Sequence, residues 1–461
     1  MVNHRFGATS RLSPFAIYRV PVAAFLGAAL LATATAVQGA DLLDIYRQAR
    51  ESDAVYAAAR ATWAATQEKL PQGRAGLLPQ ANLSASTQHN DRDLRFRNPA
   101  TPSAEGQFNS NSLSVSVTQP IYRKQNQVTY EQSKVQIEQA DAQLALVGQD
   151  LILRTAQAYF DVLLAQFNLE VAGAQKTAIS EQLAQAKRNF EVGTATITDT
   201  HEAQARFDLT VSQEIAAQND VEIKRRQLAQ IIGRTAPDLA RLGTDYALAL
   251  PAPNDVTQWV ERASRANLQV QINQAGLRIA QQEIEKSRGA HHPTLDAFAS
   301  YTDSASGSGI QGGFGTDTTT RVVGLQLAIP IYQGGATSSR VREALANQDK
   351  ARQDLETARR AAELATRQSF LGVANGVAQV KALQAAVVSS QSSLDSTQLG
   401  REVGVRTQVD VLNAQQLLFG TRRDLAQAIY NYLLSLLRLK GAVGTLAEED
   451  LIRLNSWLER K

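Results

Sequence analysis

The residue types that most often carry chemistry are sparse in this chain of 461 residues. It contains no cysteine and five histidines, of which His291 and His292 are adjacent. Adjacent side chains at a strand entry do not converge on one ion as a helical i, i+4 pair does, so we interpret them as polar surface. No Gly-rich phosphate loop, Ser-His-Asp arrangement or carboxylate pair in a pocket context emerges. The sequence therefore predicts no catalytic residue, no metal site and no cofactor.

Charged and hydroxyl side chains instead gather beside two Val-Gly turns, which lie 211 residues apart. Each turn has a glycine followed by polar residues: Gly193, Thr198 and Asp199 in the first turn, and Gly404, Arg406 and Asp410 in the second. Glycine can adopt the positive φ that ends one helix, and a hydroxyl or carboxylate can accept the free N–H groups that begin the next. The pattern predicts two helical hairpins with matching tips, where we place the function.

The polar side chains at the tips have structural as well as functional interpretations. Asp199 can cap the returning helix, with Glu202 three residues later completing a capping box. In the second tip Thr407 or Asp410 can do so, since a carboxylate is favourable in the first turn of a helix. Arg406 can be solvated, or it can pair between the hairpins with Asp199, which carries the opposite charge.

The elements that would carry these tips occur twice in the same order. The first series is a helix over 41–72, strands over 79–87 and 113–118, a long helix over 123–192 and a returning helix over 198–232. The second series is a helix over 255–289, strands over 293–301 and 323–329, a long helix over 333–403 and a helix over 408–440. Pro120-Ile121-Tyr122 matches Pro330-Ile331-Tyr332 at an offset of 210. We therefore predict two repeats, 41–254 and 255–461.

The two long helices constrain the architecture. Each has about 70 residues without proline, or ~105 Å of helix. A seven-residue spacing indicates coiled-coil packing: Ile137, Leu144 and Leu151 in the first, and Ala344, Ala351, Ala358 and Ala365 in the second. The other helices are about half as long, so two of them stacked end to end would match one long helix. The four strands then lie at one end of a rod and both glycine turns at the other.

The edges of the predicted four-stranded sheet need hydrogen-bond partners. Leu113, Val115 and Val117 alternate with hydroxyl residues, which is typical of a strand with one apolar face. Four strands leave two edges, whose backbone groups are costly to leave unsatisfied in a membrane. We expect closure by oligomerisation, with eight strands from two copies or twelve from three; the sequence alone leaves both open. Tyr122 and Tyr332 follow the strands, where aromatic residues of a membrane interface occur.

Residues 1–40 have the pattern of a cleaved secretory leader. Three arginines and no acidic residue accompany an apolar run over 20–31, and small residues follow it. Without the three arginines the 47 basic residues fall to 44, which equals the 44 acidic ones, so the charge does not favour nucleic-acid binding. We expect no later stretch to reach the ~20 apolar residues of a spanning helix. An exported chain that crosses a membrane would then do so with strands.

The order helix–strand–strand–long helix–turn–helix, given twice after a leader, resembles the TolC-type outer-membrane efflux protein family. The resemblance covers essentially the whole chain after the leader and is most specific within 403–454, over 410–414, 430–433 and 444–451. It implies a mainly α fold with a membrane β-barrel: a trimeric twelve-stranded barrel continuous with a long α-helical coiled-coil tunnel. It also implies an equatorial collar formed by 233–254 and 441–461.

The resemblance implies an outer-membrane exit channel of a tripartite efflux or type I secretion system, which conducts drugs or proteins passively from the periplasm. The implied partners are a homotrimer, a periplasmic adaptor, an inner-membrane pump of RND or ABC type and outer-membrane lipid, with no nucleic acid. Polar links between hairpins close the family's tunnel, and the matching gate residues are Thr198, Asp199, Arg406 and, facing the tunnel axis, Asp410. Two positions depart from the family: Arg401 replaces a tyrosine and Asn413 replaces a second acid.

Two other classes of protein compete with the channel. A structural or adhesive coiled-coil protein of the envelope would have the same helices and no continuous pore, so it would never conduct in a planar bilayer. An enzyme or a nucleic-acid-binding protein ranks third, because the site chemistry is missing and the charge without the leader is neutral. Drug efflux and protein secretion are equally compatible with the sequence.

Overall fold

The computed structural model describes residues 39–97, 103–243, 246–308 and 314–459, so the predicted leader lies outside them apart from its last two residues. The helices are α1 (Leu42–Ser52), α2 (Ala54–Gln67), α3 (Lys69–Ala75), α4 (Lys124–Glu191), α5 (Ile197–Ile232), α6 (Val256–Ala266), α7 (Leu268–Gly289), α8 (Ala336–Glu402), α9 (Gln408–Val443) and α10 (Glu448–Asn455). The strands are β1 (Gln80–Leu94), β2 (Ala104–Tyr122), β3 (Thr294–Ser306) and β4 (Thr316–Ala328). The mainly α fold with two internal repeats is confirmed.

The two long helices form as predicted because neither contains a residue that stops a helix. α4 has 68 residues and α8 has 67, without proline in either. Leu151 of α4 is fully buried, and Ala344 and Ala358 of α8 are almost fully buried. The residues spaced by seven therefore lie on helix faces that pack against other helices. Pro71, which lies near the end of the helix predicted over 41–72, is in the first turn of α3, where a missing N–H costs nothing.

Each long helix packs along its length against shorter ones, as the helix lengths predict. The N-terminal half of α4 contacts α7, where the Gln132 amide donates a hydrogen bond to Glu283 at 3.1 Å. Its C-terminal half contacts α5, where Lys176 and Glu214 form an ion pair at 2.6 Å. α8 similarly packs against α6 and α7 and against α9. The strands therefore adjoin the N-terminal ends of α4 and α8, and the glycine turns follow their C-terminal ends.

The shorter helices that precede the strands are broken at equivalent positions of the two repeats. Asp53 caps α2 by accepting a hydrogen bond from the Tyr56 N–H at 2.7 Å. Asn267 caps α7 by accepting one from the Val270 N–H at 3.1 Å. The sequence analysis predicts one uninterrupted helix here in each repeat, which is wrong. Asp and Asn side chains offer the backbone a partner outside the helix, and apolar periodicity does not register that competition.

The strands form one antiparallel sheet in the order β1-β2-β3-β4, which leaves β1 and β4 at its edges. They are longer than predicted, because polar residues expected in loops, such as 104–110 and 316–320, continue the strands. Polar side chains occupy both faces there, so no apolar alternation marks the strand. Nearer the helices one face is apolar: Leu83 pairs with Val115, which pairs with Tyr301, and paired residues share a face.

The largest apolar core surrounds the middle of α4 and α9. Tyr159 of α4 is fully buried, and its hydroxyl donates a hydrogen bond to the Ala240 carbonyl at 2.8 Å. Tyr432 of α9 is equally buried, and its hydroxyl donates to the Ala249 carbonyl at 3.0 Å. Both carbonyls belong to the irregular segment between the repeats, so the two tyrosines satisfy its backbone while filling the core.

One helix of the described residues, α8, includes an 18-residue stretch that is long and apolar enough to cross a bilayer. The expectation that no such stretch follows the leader is therefore wrong. Length and composition are the only grounds for a span here, and core helices meet the same criterion. α8 packs against α6, α7 and α9 and buries Val373, Val377 and Val380, but only 17% of the apolar stretch is buried within one chain.

A buried ion pair ties the α1–α2 break to α4. The Asp53 carboxylate is 5% exposed and accepts hydrogen bonds from two Arg154 guanidinium nitrogens at 3.0 and 3.1 Å. Burial alone would raise the pKa of Asp53, but the hydrogen bonds from Arg154 and from the Tyr56 N–H outweigh it, and the pKa is lowered. A carboxylate with a lowered pKa stabilises the fold above its unfolded-state pKa and loses that effect as the pH falls.

We expect Asp53→Ala to lower the free energy of unfolding by about 2–4 kcal/mol at pH 7, because a cap and charged hydrogen bonds are lost. Glu51→Ala, at an exposed neighbour, serves as the control and should change little. Denaturant titrations followed by helical circular dichroism measure both. The difference should shrink below about pH 4; a difference equally large at pH 3 would contradict the role of the charge.

Candidate functional site: the two helical tips

The two tips end their helices with the same backbone motif. Gly193 has φ +76° and Gly404 has φ +81°, the left-handed values that the sequence predicts. After α4, the Thr194 N–H donates to the Asn189 carbonyl at 2.8 Å, and the Gly193 N–H donates to the Phe190 carbonyl at 3.0 Å. After α8, the corresponding N–H groups donate to Gly400 and Arg401 at 2.8 and 3.1 Å. Both are Schellman motifs, in which a glycine closes the helix.

Each returning helix then begins with a capping box. Thr196 caps α5 and Thr407 caps α9, and each hydroxyl accepts a hydrogen bond at 3.2 Å from the N–H of the aspartate three residues later. Asp199 and Asp410 in turn accept hydrogen bonds from the N–H groups of those threonines at 3.0 and 2.8 Å. The predicted box of Asp199 with Glu202 is therefore wrong, because the box lies three residues earlier and pairs Thr196 with Asp199. A threonine residue three positions earlier is the signal that would have placed it.

The hydrogen bonds at the second tip also set the charge of its acid. The Thr407 N–H and hydroxyl, and then the nearby charge of Arg406, lower the pKa of Asp410. The lowered pKa of Asp410 favours its ionised carboxylate. One side chain thus serves as a cap and provides a fixed negative charge at the tip.

The proposed gate residues are not all joined within one chain. Thr198 is exposed, and so is Arg406, whose methylene groups lie against Gly400. Among the described residues, Asp199 and Arg406 form no ion pair with each other. Their gating role remains a prediction.

Two other arginines connect the first hairpin (α4–α5) to the second (α8–α9) within the chain. Arg206 of α5 donates to the Gln416 amide oxygen at 2.7 Å and to the Asn413 amide oxygen at 3.2 Å, both on α9. Arg401 of α8 donates to the Gln182 amide oxygen of α4 at 3.0 Å. Arg401 and Asn413, the two positions expected from the resemblance to depart from the family pattern, each take part in a link between hairpins. The sequence does not reveal these links, because their partners are neutral amides on distant helices.

The two tyrosines expected at the membrane interface lie at the other end of the molecule. The Tyr122 hydroxyl and the His292 Nδ1 are 3.1 Å apart, within hydrogen-bond distance, which gives one of the adjacent histidines a partner other than metal. Tyr332 is 86% exposed. No group of three or more potential metal ligands occurs in the part of the chain that the structure describes.

A sheet at one end, long paired helices and two polar tips at the other end define an outer-membrane exit channel with a periplasmic helical tunnel. The chain belongs to the outer membrane efflux protein family, whose model matches residues 45–234 and 259–445. The two matched segments contain one hairpin tip each, in keeping with the repeat. The family resemblance seen in the sequence, and the outer-membrane location it implies, are confirmed.

Individual relatives agree with this assignment. The chain is 34% identical over 437 residues to the outer membrane protein TolC of Vibrio cholerae, which covers 94% of this chain and 98% of the relative. It is 30% identical over 431 residues to the proteases secretion protein PrtF of Dickeya chrysanthemi, with 92% of each chain covered. The crystal structure of the Campylobacter jejuni CmeC outer membrane channel has a TM-score of 0.75 at 16% identity, over 96% of this chain and 98% of that one.

We expect Gly193→Val and Gly404→Val each to disrupt folding of a tip, at a cost of at least about 1–2 kcal/mol, because a β-branched residue is strongly disfavoured at positive φ. No neighbouring atom lies within 4 Å of a Cβ built at either glycine, so the cost is backbone strain and not a clash. Gly420→Ala, in open space within α9, is the control. Thermal unfolding and the yield of assembled protein in outer-membrane fractions measure the effect. Unchanged assembly and export in both valine variants would contradict it.

Proposed function

We propose that this channel is a homotrimer whose twelve strands close a barrel and whose helical tips form a gate opened by a periplasmic adaptor and an inner-membrane pump. In this proposal residues 1–40 are a leader, and 41–254 and 255–461 are the two repeats of each subunit. The observation that carries the proposal is the placement of polar links between hairpins at the end of the molecule farthest from the sheet. Such links hold the tunnel end shut without taking part in the core.

Closure of the sheet supports the oligomer. β1 and β4 are edges with unpaired backbone groups, and the apolar face beside them, with Leu83, Val323 and Leu325 exposed, fits outer-membrane lipid. Three copies supply twelve strands, the number that the resemblance implies. Tyr122 and Tyr332 then lie at the periplasmic side of the lipid, as interfacial aromatic residues.

The gate is assigned to side chains of two kinds. Arg206 and Arg401 hold the two hairpins of one chain together through amide oxygens. Thr198, Asp199 and Arg406 are the residues that we assign to links between neighbouring copies. Asp410 contributes three carboxylates around the axis of the trimer, where clustered negative charge attracts cations.

Partners are assigned from the exposed tips and from the relatives. Val192, Val403 and Val405 are exposed beside the glycine turns, which offers an adaptor an apolar contact on each hairpin. The pump behind the adaptor is of RND or ABC type, and the cargo is a drug or a secreted protein. The relative named for protease secretion supports the second cargo. A non-conducting stalk is not favoured, because the chain belongs to a family of efflux channels.

Conductance in planar bilayers tests the gate. Exposed polar links contribute about 0.5–1 kcal/mol each, so three copies bias a concerted gate by ~1.5–3 kcal/mol. We therefore expect Arg206→Ala or Arg401→Ala to raise the ratio of open to closed channel roughly ten- to hundredfold, with the trimer intact. Asp199→Ala and Arg406→Ala should act in the same direction.

Arg422→Ala is the matched control, because Arg422 of α9 donates to Gln391 of α8 within the second hairpin. It should leave the resting conductance unchanged. If none of the four variants differs from this control, the links do not form a gate. A preparation that never conducts would favour the structural stalk, and a monomer in detergent would refute the closed barrel.

Block by multivalent cations tests Asp410 separately from its capping role. Asp410→Ala should weaken block by cations added on the periplasmic side, because the trimer loses three clustered carboxylates. Thr407→Ala disrupts the same capping box and keeps the charge, so block should persist in it. Asn413→Asp should deepen block by adding a second acidic ring. Unchanged block in Asp410→Ala would place this side chain away from the channel axis.

A further inference from the structure

We infer that the edge of β4 pairs with β1 of a second copy of this chain in one defined register, which sets Arg321 opposite Asp91 across the junction. The inference rests on the proposed closure of the sheet by oligomerisation and adds the register and the charged pair to it. It is drawn from the internal repeat, from the unequal ends of β2 and β4, and from the charges along the two edges.

The internal repeat extends to the strand registers. Gln80 pairs with Thr118 in the first hairpin of strands, and Thr294 pairs with Ala328 in the second. The second pair follows from the first by adding 214 to the number in the first strand and 210 to the number in the second. The value 210 is also the offset between the two Pro-Ile-Tyr motifs. The two strand hairpins are therefore equivalent residue by residue.

The junction of β2 with β3 is then the template for the junction between copies. β2 is the second strand of its hairpin and β3 the first strand of the next, as β4 and the β1 of a second copy would be. Within the chain, Asn111 of β2 pairs with Ala305 of β3. Adding 210 to the first number and subtracting 214 from the second converts this pair into Arg321 opposite Asp91.

The unequal ends of β2 and β4 support a missing partner at this edge. The pairing of β2 with β1 ends at Thr118. β2 continues beyond this residue because β3 lies opposite it there, as in the pair of Gln119 with Ala297. β4 ends at Ala328, the counterpart of Thr118, and most of the residues that directly follow it are exposed, Ile331 to 95%. The four residues that would continue β4, 329–332, have no strand partner among the residues that the structure describes, and a second copy of β1 would supply one.

Charges along the edges agree with the register. Arg321 is exposed and lies over the Tyr301 ring on the neighbouring strand at 5.7 Å, and Asp91 is exposed and accepts a hydrogen bond from Gln107 at 3.2 Å. Neither forms an ion pair with any residue that the structure describes. Opposite charges directly across an antiparallel pair stabilise it, and like charges destabilise it. In the register derived from the β2–β3 junction, Arg321 of β4 lies opposite Asp91 of β1. This is the one pair along the two edges in which both residues are charged.

The ion pair that closes the junction within the chain lies at its other end. Arg123, which follows β2, donates to both Asp296 carboxylate oxygens of β3 at 2.8 and 2.6 Å. The counterparts between copies are Gln333 and Asn82, which are neutral. The junction within a chain thus has its ion pair next to the helices. The inferred junction between chains has its ion pair at the part of the strands far from the helices.

Disulfide trapping tests the register on a chain that has no cysteine of its own. The full-length protein carrying R321C and D91C is assembled in outer membranes and oxidised. Directly opposite residues have Cα atoms about 4.5–5.5 Å apart, within the range of a disulfide. R321C with H89C or with D93C shifts one partner by two residues on the same face, to ~7–8 Å, and serves as the matched control.

We expect R321C/D91C to give a covalent oligomer on non-reducing gels, at least tenfold more than either control pair, and a thiol to return it to monomer. Preferential cross-linking of a control pair would overturn the register. So would the absence of any cross-link in an oligomer of unchanged mass. A monomer in detergent would refute the closure itself, and with it the proposed function. As an independent measure, Asp91→Arg should lower the dissociation temperature of the oligomer, and adding Arg321→Asp should restore it; no restoration would also overturn the pair.

Discussion

The backbone groups along the outer edges of β1 and β4 impose the constraint on which the rest of the structure depends. A strand edge facing hydrocarbon leaves N–H and C=O groups without a partner, at several kcal/mol each. The four strands of one chain leave both edges open, and in the proposed trimer β1 and β4 of neighbouring copies supply these bonds to each other. Once the strands form a ring, the helices that follow them are arranged around the same axis. The tips at the far ends are then brought together by a requirement that arises at the sheet.

The internal repeat provides the same set of helices and strands twice. The differences between the two repeats show where each repeat has a separate role. The break before the strands is capped by Asp53 in one repeat and by Asn267 in the other, and only the acid has an arginine partner. Arg123 binds Asp296 at the junction within the chain, where its counterpart Gln333 carries no charge. Both repeats need the same backbone to form the same fold. Only the first repeat, however, has its second strand, β2, paired with a strand of the other repeat in the same chain, and the Arg123–Asp296 ion pair lies at that junction.

The sequence predicts the elements in proportion to the strength of their local signals. α4, α5, α8 and α9 begin and end within a few residues of their predicted bounds, because seven-residue spacing and Val-Gly turns are local and strong. The outer parts of the strands were not predicted, since side chains that are polar on both faces leave no alternation to detect. Of the candidate site, the left-handed glycines and the cap at Thr407 were predictable from a few adjacent residues, whereas at the first tip Asp199 was expected as the cap and Thr196 is the cap. The links of Arg206 and Arg401 were not, because they join helices more than 200 residues apart in sequence.

The distribution of apolar contacts separates the part of the molecule that must stay rigid from the part that can move. The largest core surrounds Tyr159 and Tyr432 in the middle of the helices, whereas the core clusters towards the tips contain only a few buried residues each. Near the turns, hydrogen bonds from arginines to amide oxygens replace apolar packing, and they exchange readily for bonds to water. Opening such a tip breaks few apolar contacts and leaves the central core intact. The gate that we propose at the polar links would therefore open by local rearrangement of the tips, while the central core stays in place.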